Sequence, residues 1–365
     1  MKNNKLLLTS ALVSSLVAVG SNSNAQTTIT GDLAVVYTAY SVKNTTGSNR
    51  GFGRESQINV ANKGKLNNGI NYAAGFALEF DGQAQTAGNN TAVIDNSISN
   101  ENLYFDFIFG DTTFTVGVDH QHRGYALAAP QVYSVIDAMT VVATGTTFVV
   151  GGGVAEAFGL GVNHKFMGLT ASAHYVPRLR DNGGQDISAI PTQIGSNSAY
   201  EVGVSGTVKG TGLNVKLFHS SSEKAGSEIG GDTASLNYGV GYNFGQFAVG
   251  VERIEDKNNT GAAAGNAVTM GGGVNATREE KTNLIGATFS IDKNQTIGVQ
   301  AYDTKLSGSA ATSANVKEKV RAIQYGYNMG PVALGVTYAR MEGANYVAGS
   351  GAEGNGLQVR LTTKF

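Results

Sequence analysis

The amino-acid sequence predicts an all-β fold, a transmembrane antiparallel up-and-down β-barrel of about 16 strands. Three observations support this prediction. Apolar residues alternate with small or polar residues, short links alternate with long links, and aromatic residues collect near the links. Strands that cross a membrane repeatedly produce such links, with tight turns on one side and long loops on the other. We therefore expect short periplasmic turns and long extracellular loops.

The alternation has a period of two residues, which is typical of a strand with two different faces. Tyr72 and Phe76 lie on one predicted face, and Glu79 lies on the other. The same pattern fills segments 70–80, 200–209 and 235–244. A soluble β-sandwich would give the same alternation, because its inner face is also apolar. Alternation alone therefore leaves both folds open.

The links between the apolar segments favour the barrel. Short links are predicted at 64–68, 110–112, 166–168, 210–212, 245–246, 292–294 and 329–331. Long polar links are predicted at 41–52, 81–99, 120–154, 177–198, 221–232, 255–280, 304–317 and 342–353. All four prolines fall in links, as expected because proline cannot donate a ladder hydrogen bond. About sixteen strands also enclose a lumen that side chains cannot fill, which predicts a channel.

Residues 1–25 are predicted to form a signal peptide, so that residues 26–365 form the barrel. Lys2 and Lys5 precede an apolar run over 6–19, and the small residues at 23–25 suit cleavage. A membrane anchor is the alternative, but this run is short for a spanning helix. Secretion is therefore the favoured interpretation.

Composition excludes several other classes of protein. The chain has no cysteine, which excludes disulfides and thiolate metal sites. Without Lys2 and Lys5, 24 of the 26 basic residues remain against 27 acidic ones, a formal charge of −3. This balance gives no support for nucleic-acid binding. The 50 glycines are interpreted as residues of turns, strand bends and small pore-facing surfaces.

Four segments carry a resemblance to a known family. They are 56–80, 102–119 with a turn at Phe109, 163–175, and the alternating last strand 356–365 that ends at Phe365. Over essentially the whole predicted mature chain, the sequence resembles the Gram-negative general porins of the enterobacterial and neisserial kind. The resemblance implies a water-filled channel in the outer membrane for passive diffusion of small hydrophilic solutes and ions. It also implies a homotrimer embedded in outer-membrane lipid, and an assembly signal at Phe365 that the outer-membrane assembly machinery reads.

The sequence departs from the family at two places. Gln57 stands where the family usually carries an arginine on the pore wall. The segment 120–154 occupies the position of the loop that folds into the lumen and narrows it, but lacks the family's Pro-Glu-Phe-Gly-Gly turn. Its apolar residues at 126–129, 132 and 135 predict that it packs inside the barrel. Charged or titratable residues are sparse there, namely Asp119, His120, His122, Arg123 and Asp137.

Strand parity predicts which charged side chains face the lumen. The candidates for the constriction and its selectivity are the five residues at the loop together with Gln57, Glu79, Asp106, Lys165, Glu201, Lys216 and Arg360. Parity also places Asp32, Glu55, Lys209, Glu252 and Lys364 inward. Charged rings in a narrow pore select among ions through their fixed field. Because acids exceed bases, a weak preference for cations is expected.

No residue is assigned a catalytic or metal-binding role. His120 and His122 could face one metal ion, but no third ligand is evident. A serine nucleophile is disfavoured because the Gly-x-Ser-x-Gly pattern is missing, and no cofactor motif is complete. The alternative function is a barrel with little conductance whose long loops serve adhesion or surface recognition.

Overall fold

A computed structural model describes residues 25–43, 48–82, 98–118, 128–132, 158–176, 198–222, 233–257, 279–307, 317–343 and 353–365. The predicted signal peptide, apart from Ala25, lies outside these ranges. Within them, no helix is both long enough and apolar enough to cross a lipid bilayer.

Sixteen strands fill the described residues. In chain order they are β1 Gln26–Val42, β2 Ser48–Lys65, β3 Asn71–Gly82, β4 Ile98–Phe109, β5 Thr112–Val118, β6 Phe158–Phe166, β7 Leu169–Val176, β8 Ala199–Thr207, β9 Leu213–Ser222, β10 Thr233–Phe244, β11 Phe247–Lys257, β12 Glu279–Ser290, β13 Gln295–Ser307, β14 Lys317–Met329, β15 Val332–Glu342 and β16 Gly354–Lys364.

The strands form one closed antiparallel barrel in which each strand pairs with its neighbours in sequence and β1 pairs with β16. Closure leaves no unpaired edge, so every strand can satisfy its backbone groups within lipid. The predicted all-β transmembrane barrel of about 16 strands is confirmed. The strand boundaries differ most at the predicted link 41–52, where the β1–β2 ladder continues to the pair Ser41 and Ser48. Polar residues and glycine on both faces hide the alternation there.

Tight turns connect the strands at the periplasmic end. Between β6 and β7, Met167 and Gly168 both have positive φ, which matches a two-residue type I′ turn. Between β12 and β13, one carboxylate oxygen of Asp292 accepts hydrogen bonds from the backbone nitrogens of Asn294 and Gln295, at 2.7 and 2.9 Å. These bonds, chiefly that from Asn294, hold the pKa of Asp292 below its usual value.

The two faces of the barrel are inverted relative to a soluble protein. On the outward face Val35 and Ile323 are 55% and 58% exposed, whereas on the inward face Gln324 is 1% exposed. Exposed aromatic residues lie at the short-turn end, namely Phe109, Phe166, Phe244, Phe247 and Phe365. Large exposed apolar surfaces are rare on soluble monomers, and an apolar band with aromatic girdles is typical of outer-membrane barrels. This arrangement rules out the soluble sandwich.

Candidate functional site

A short part of the predicted constriction loop lies inside the barrel. It comprises residues 128–132, which we call the seated segment. The backbone nitrogen of Ala128 donates to Glu252 Oε2 at 2.7 Å, and that of Val132 donates to Gln324 Oε1 at 3.0 Å. Gln300 Nε2 donates to the carbonyl oxygen of Pro130 at 3.3 Å. Side chains of β11, β13 and β14 therefore hold the backbone of the seated segment.

Inward-facing glycines make room for this segment. A Cβ atom at Gly241 would lie 2.6 Å from the carbonyl oxygen of Ala128, and one at Gly298 would lie 2.8 Å from Val132 Cγ2. Similar conflicts with the segment would arise at Gly239 and Gly286, and a Cβ atom at Gly250 would lie 3.0 Å from Ala129 Cα. Distances below 3.0 Å cannot be accommodated without movement of the neighbouring atoms. The five glycines of β10–β13 form a shallow depression, which we call the glycine seat.

A buried ion pair lies beside the glycine seat. Lys216 Nζ on β9 is 2.9 Å from Glu252 Oε1 on β11, and their side chains are 1% and 0% exposed. The two carboxylate oxygens of Glu252 thus have separate partners, the lysine and the backbone of Ala128. A buried charge is costly unless it is paired and hydrogen-bonded, and this arrangement satisfies both conditions. The ion pair fixes the carboxylate that anchors the segment.

Apolar contacts complete the seat. Ala128 and Ala129 are buried, and Val132 is half-buried. Ala129 belongs to a buried apolar cluster on the inner wall of β12–β15, with Leu284, Tyr302, Val320, Ala322, Ala339 and Met341. These contacts agree with the expected inward packing of the loop's apolar residues, as far as the structure describes them. Residues 126, 127 and 135 lie outside the described ranges.

Three of the sequence-predicted residues lie on the wall that faces the glycine seat. In the closed order, β3 is eight strands from β11 in either direction, so β2–β4 face the seat. Gln57 and Glu79 are Cα partners there, and Asn59 Nδ2 donates to Gln57 Oε1 at 3.2 Å. On β4, Asp106 Oδ1 accepts a 2.6 Å hydrogen bond from Thr115 Oγ1. Among the candidate residues, this wall contributes two carboxylates, those of Glu79 and Asp106.

The remaining described candidates lie elsewhere around the barrel. Glu201 on β8 is 2% exposed and is the Cα partner of His174, which is also buried. Lys165 is exposed beside the β6–β7 turn, at the periplasmic end. Arg360 on β16 donates to Thr362 Oγ1 at 3.3 Å. Lys165 and Arg360 lie on strands away from the glycine seat, whereas Lys216 lies beside it and interacts electrostatically with Glu201.

Five candidates fall outside the described residues, namely Asp119, His120, His122, Arg123 and Asp137. Their inward position stays a prediction. Among the residues that are described, no group of three or more His, Asp or Glu side chains is arranged to hold a metal ion.

Sequence reasoning missed the groups that hold the segment. Gln300, Gln324 and the glycine seat were not candidates, and Glu252 was placed inward without a specific role. A usable signal was present, because inward parity positions on four consecutive strands, β10–β13, carry glycine. That clustering distinguishes a surface for close backbone approach from glycines scattered through turns.

Comparison with known proteins places this barrel in a family. The family model described as Gram-negative porin matches residues 10–346. The chain belongs to the Gram-negative porin family. No curated protein matches this porin at a significant level. Family membership together with the barrel confirms an outer-membrane porin that forms a water-filled channel. The finer likeness to enterobacterial and neisserial members stays a prediction.

Solved structures share the fold at low sequence identity. The porin is similar to the outer-membrane expressed OmpT of Vibrio cholerae, with 10% identity, 95% of this chain and 99% of that chain covered, and a TM-score of 0.62. It is similar to an anion-selective porin from Comamonas acidovorans, with 14% identity, 93% of this chain and 100% of that chain covered, and a TM-score of 0.63. A mutant Rh. blastica porin gives 14% identity, coverages of 93% and 100%, and a TM-score of 0.54. Identities this low establish the common fold alone.

Proposed function

We propose that the loop 120–154 sets the constriction of this channel, with the seated segment as its anchor on the inner wall. The observation that carries the proposal is the pair of backbone hydrogen bonds from Ala128 and Val132 to wall side chains. A connection as long as 120–154 is uncommon in a compact domain unless it has a function. The passage would then run between the loop and the facing wall of β2–β4.

The charges of this passage favour a weak preference for cations. Glu79 and Asp106 lie on the facing wall, and we place Asp119 and Asp137 on the loop side. Lys216 adds little field, because its charge is paired with Glu252 in a buried site. Salt screens a field in a wide, hydrated lumen, so the preference should fade as ionic strength rises.

Planar-bilayer recording of the purified porin tests the proposal. We expect an ohmic conductance, together with a small reversal potential in the cation direction that shrinks at high salt. Asp119→Asn combined with Asp137→Asn should reduce this potential without closing the pore. A reversal potential that indicates a preference for anions would contradict the proposed cation preference. A folded but silent barrel would instead favour adhesion or surface recognition by the long loops.

We further propose a homotrimer that the outer-membrane assembly machinery inserts after removal of the signal peptide 1–25. The outward faces of β1 and β16 expose Leu33, Val35 and Leu361, which supplies an apolar surface for subunit contact. One of the similar OmpT structures is a trimer form. We propose no catalytic activity and no cofactor for this porin.

A further inference from the structure

Three lysines form a row on the outward face of the barrel. In the ladders, Lys281 on β12 is the Cα partner of Lys305 on β13, and Lys305 is the Cα partner of Lys317 on β14. We call these three residues the basic row. Direct cross-strand partners share a face and lie about 5 Å apart, and like charges in this position are destabilising. A row of three cations is therefore unfavourable unless an anion neutralises it.

The protein itself supplies little neutralisation. Lys281 Nζ is 4.0 Å from Glu279 Oε2, in a pair whose side chains are 40% and 39% exposed. The carboxylate of Glu255, which faces Lys281 across the ladder, is engaged at 2.6 Å by Arg253. Within the described ranges, Lys305 and Lys317 have no ion pair. The basic row thus presents positive charge outward.

Two other charges on this sector are paired with each other. Arg321 and Asp303, below the row, are 2.6 Å apart. Arg321 also donates to the backbone carbonyl oxygens of Tyr302 and Val320, each at 2.8 Å. Paired and hydrogen-bonded charges are tolerated near the apolar band, where an unpaired charge on the lipid face is destabilising. The Arg321–Asp303 pair thus differs from the basic row, and Lys319, on the same face of β14, adds a further positive charge between them.

The height of the basic row matches the level of lipid head groups. Lys305 lies ten residues beyond Gln295, where β13 begins at its periplasmic turn. A strand tilted by about 40° gains roughly 2.5 Å of height per residue, so the row lies roughly 25 Å above that turn. This is about the height of the apolar band of a bacterial barrel. The row therefore sits at the extracellular edge of the band.

The surface below the row is strongly apolar. Ile285, Val299 and Ile323 are 56%, 53% and 58% exposed on the same three strands. One sector of the barrel thus combines apolar surface below with unneutralised positive charge above.

We propose that the basic row binds the phosphate groups of outer-leaflet glycolipid, whose acyl chains cover the apolar surface below. The phosphate groups of such a lipid would contact the positive charges of the basic row, and its acyl chains would contact the apolar surface below. Clusters of basic residues at a membrane surface recognise anionic head groups in this way. The site lies on the outside of the barrel and does not depend on conduction through the lumen.

Native mass spectrometry of the purified porin in detergent tests this proposal, with bisphosphorylated lipid A as the probe. We expect lipid A to be retained, and a variant with Lys281→Gln, Lys305→Gln and Lys317→Gln to bind it at least tenfold more weakly. The matched control removes three lysines at the periplasmic end, by Lys65→Gln, Lys209→Gln and Lys293→Gln, and should bind within about twofold of the wild type. Heat-modifiable migration of both variants would show that each barrel is folded.

Four outcomes would overturn the proposal. Unchanged lipid A binding by the basic-row variant would exclude these lysines. If the wild-type porin retains dephosphorylated lipid A as well as it retains bisphosphorylated lipid A, the apolar surface alone determines binding. Displacement of lipid A by millimolar inorganic phosphate would indicate a site for the free anion. If the basic-row variant binds lipid A normally but changes its oligomeric state in light scattering, the row is an interface between proteins.

Discussion

Replacing Glu252 with alanine is expected to raise the mean single-channel conductance and the current noise of this porin. The substitution removes the acceptor for the backbone of Ala128 and the carboxylate that is paired with the buried Lys216. Removing one member of a buried ion pair costs about 3–5 kcal/mol. Each remaining anchor, such as the bond from Val132 to Gln324, contributes only about 1 kcal/mol. Water that reaches the ammonium group of Lys216 lowers the free-energy cost of its buried charge. Water can reach this group only if the seated segment moves away from the wall.

Glu255→Ala is the matched control, because Glu255 lies on the same strand but on the outward face. It should leave conductance and noise unchanged. Glu252→Gln keeps an oxygen that can accept from Ala128 and loses only the charge, so its effect should be smaller than that of alanine. A Glu252→Ala barrel that is folded and conducts with wild-type conductance and noise would show that this carboxylate does not hold the constriction.

Replacing Phe365 with alanine is expected to lower the amount of porin in the outer membrane several-fold. Phe365 and Gly31 exchange two backbone hydrogen bonds of 3.0 Å, which extend the ladder that closes the barrel. A Cβ atom at Gly31 would lie 2.7 Å from the ring, which therefore covers this glycine on the outward face. Alanine keeps the backbone bonds and removes the aromatic ring of the proposed assembly signal. The measurement is the surface abundance of the protein in isolated outer membranes.

Phe247→Ala provides the comparison for this experiment. Phe247 also lies at the periplasmic end and is 48% exposed, against 53% for Phe365, but it belongs to an internal strand. Its loss should reduce surface abundance much less if the terminal ring is read as a signal. Equal abundance of the Phe365→Ala variant and the wild type would refute that role. The few Phe365→Ala molecules that assemble should show wild-type conductance.

Most of the fold could be predicted from the sequence because it depends on local periodicity. Alternating faces and alternating link lengths specify a two-sided strand that crosses a membrane, and both signals are strong in β10 and β14. The signal fails where both faces are polar, as at Ser41 and Ser48, where backbone pairing alone continues the ladder. Strand parity likewise places Glu79, Asp106 and Lys216 inward, because a single shift of register would reverse every side chain.

The site could be predicted only in part, because it depends on contacts between segments that are distant in sequence. Which wall residues meet Ala128 depends on the registers of several strands and on closure of the barrel. Gln300 and Gln324 are ordinary inward polar residues until the seated segment meets them. Parity shows the inward glycines of β10–β13 strand by strand, but the alignment across the ladders is needed to show that they adjoin one another.

Disulfide formation between Ala129→Cys and Gly286→Cys tests most directly whether the seated segment lies in the glycine seat. A Cβ atom at Gly286 would lie 3.5 Å from Ala129 Cβ, within the range of disulfides, and the backbone carbonyl of Pro130, which conflicts with that Cβ atom, must move to admit it. The chain has no other cysteine. We expect efficient oxidation in native outer membranes, and no oxidation when Ala129→Cys is paired with Ala77→Cys on the facing wall. A folded Ala129→Cys and Gly286→Cys barrel that stays reduced under oxidising conditions would contradict the position of the seated segment.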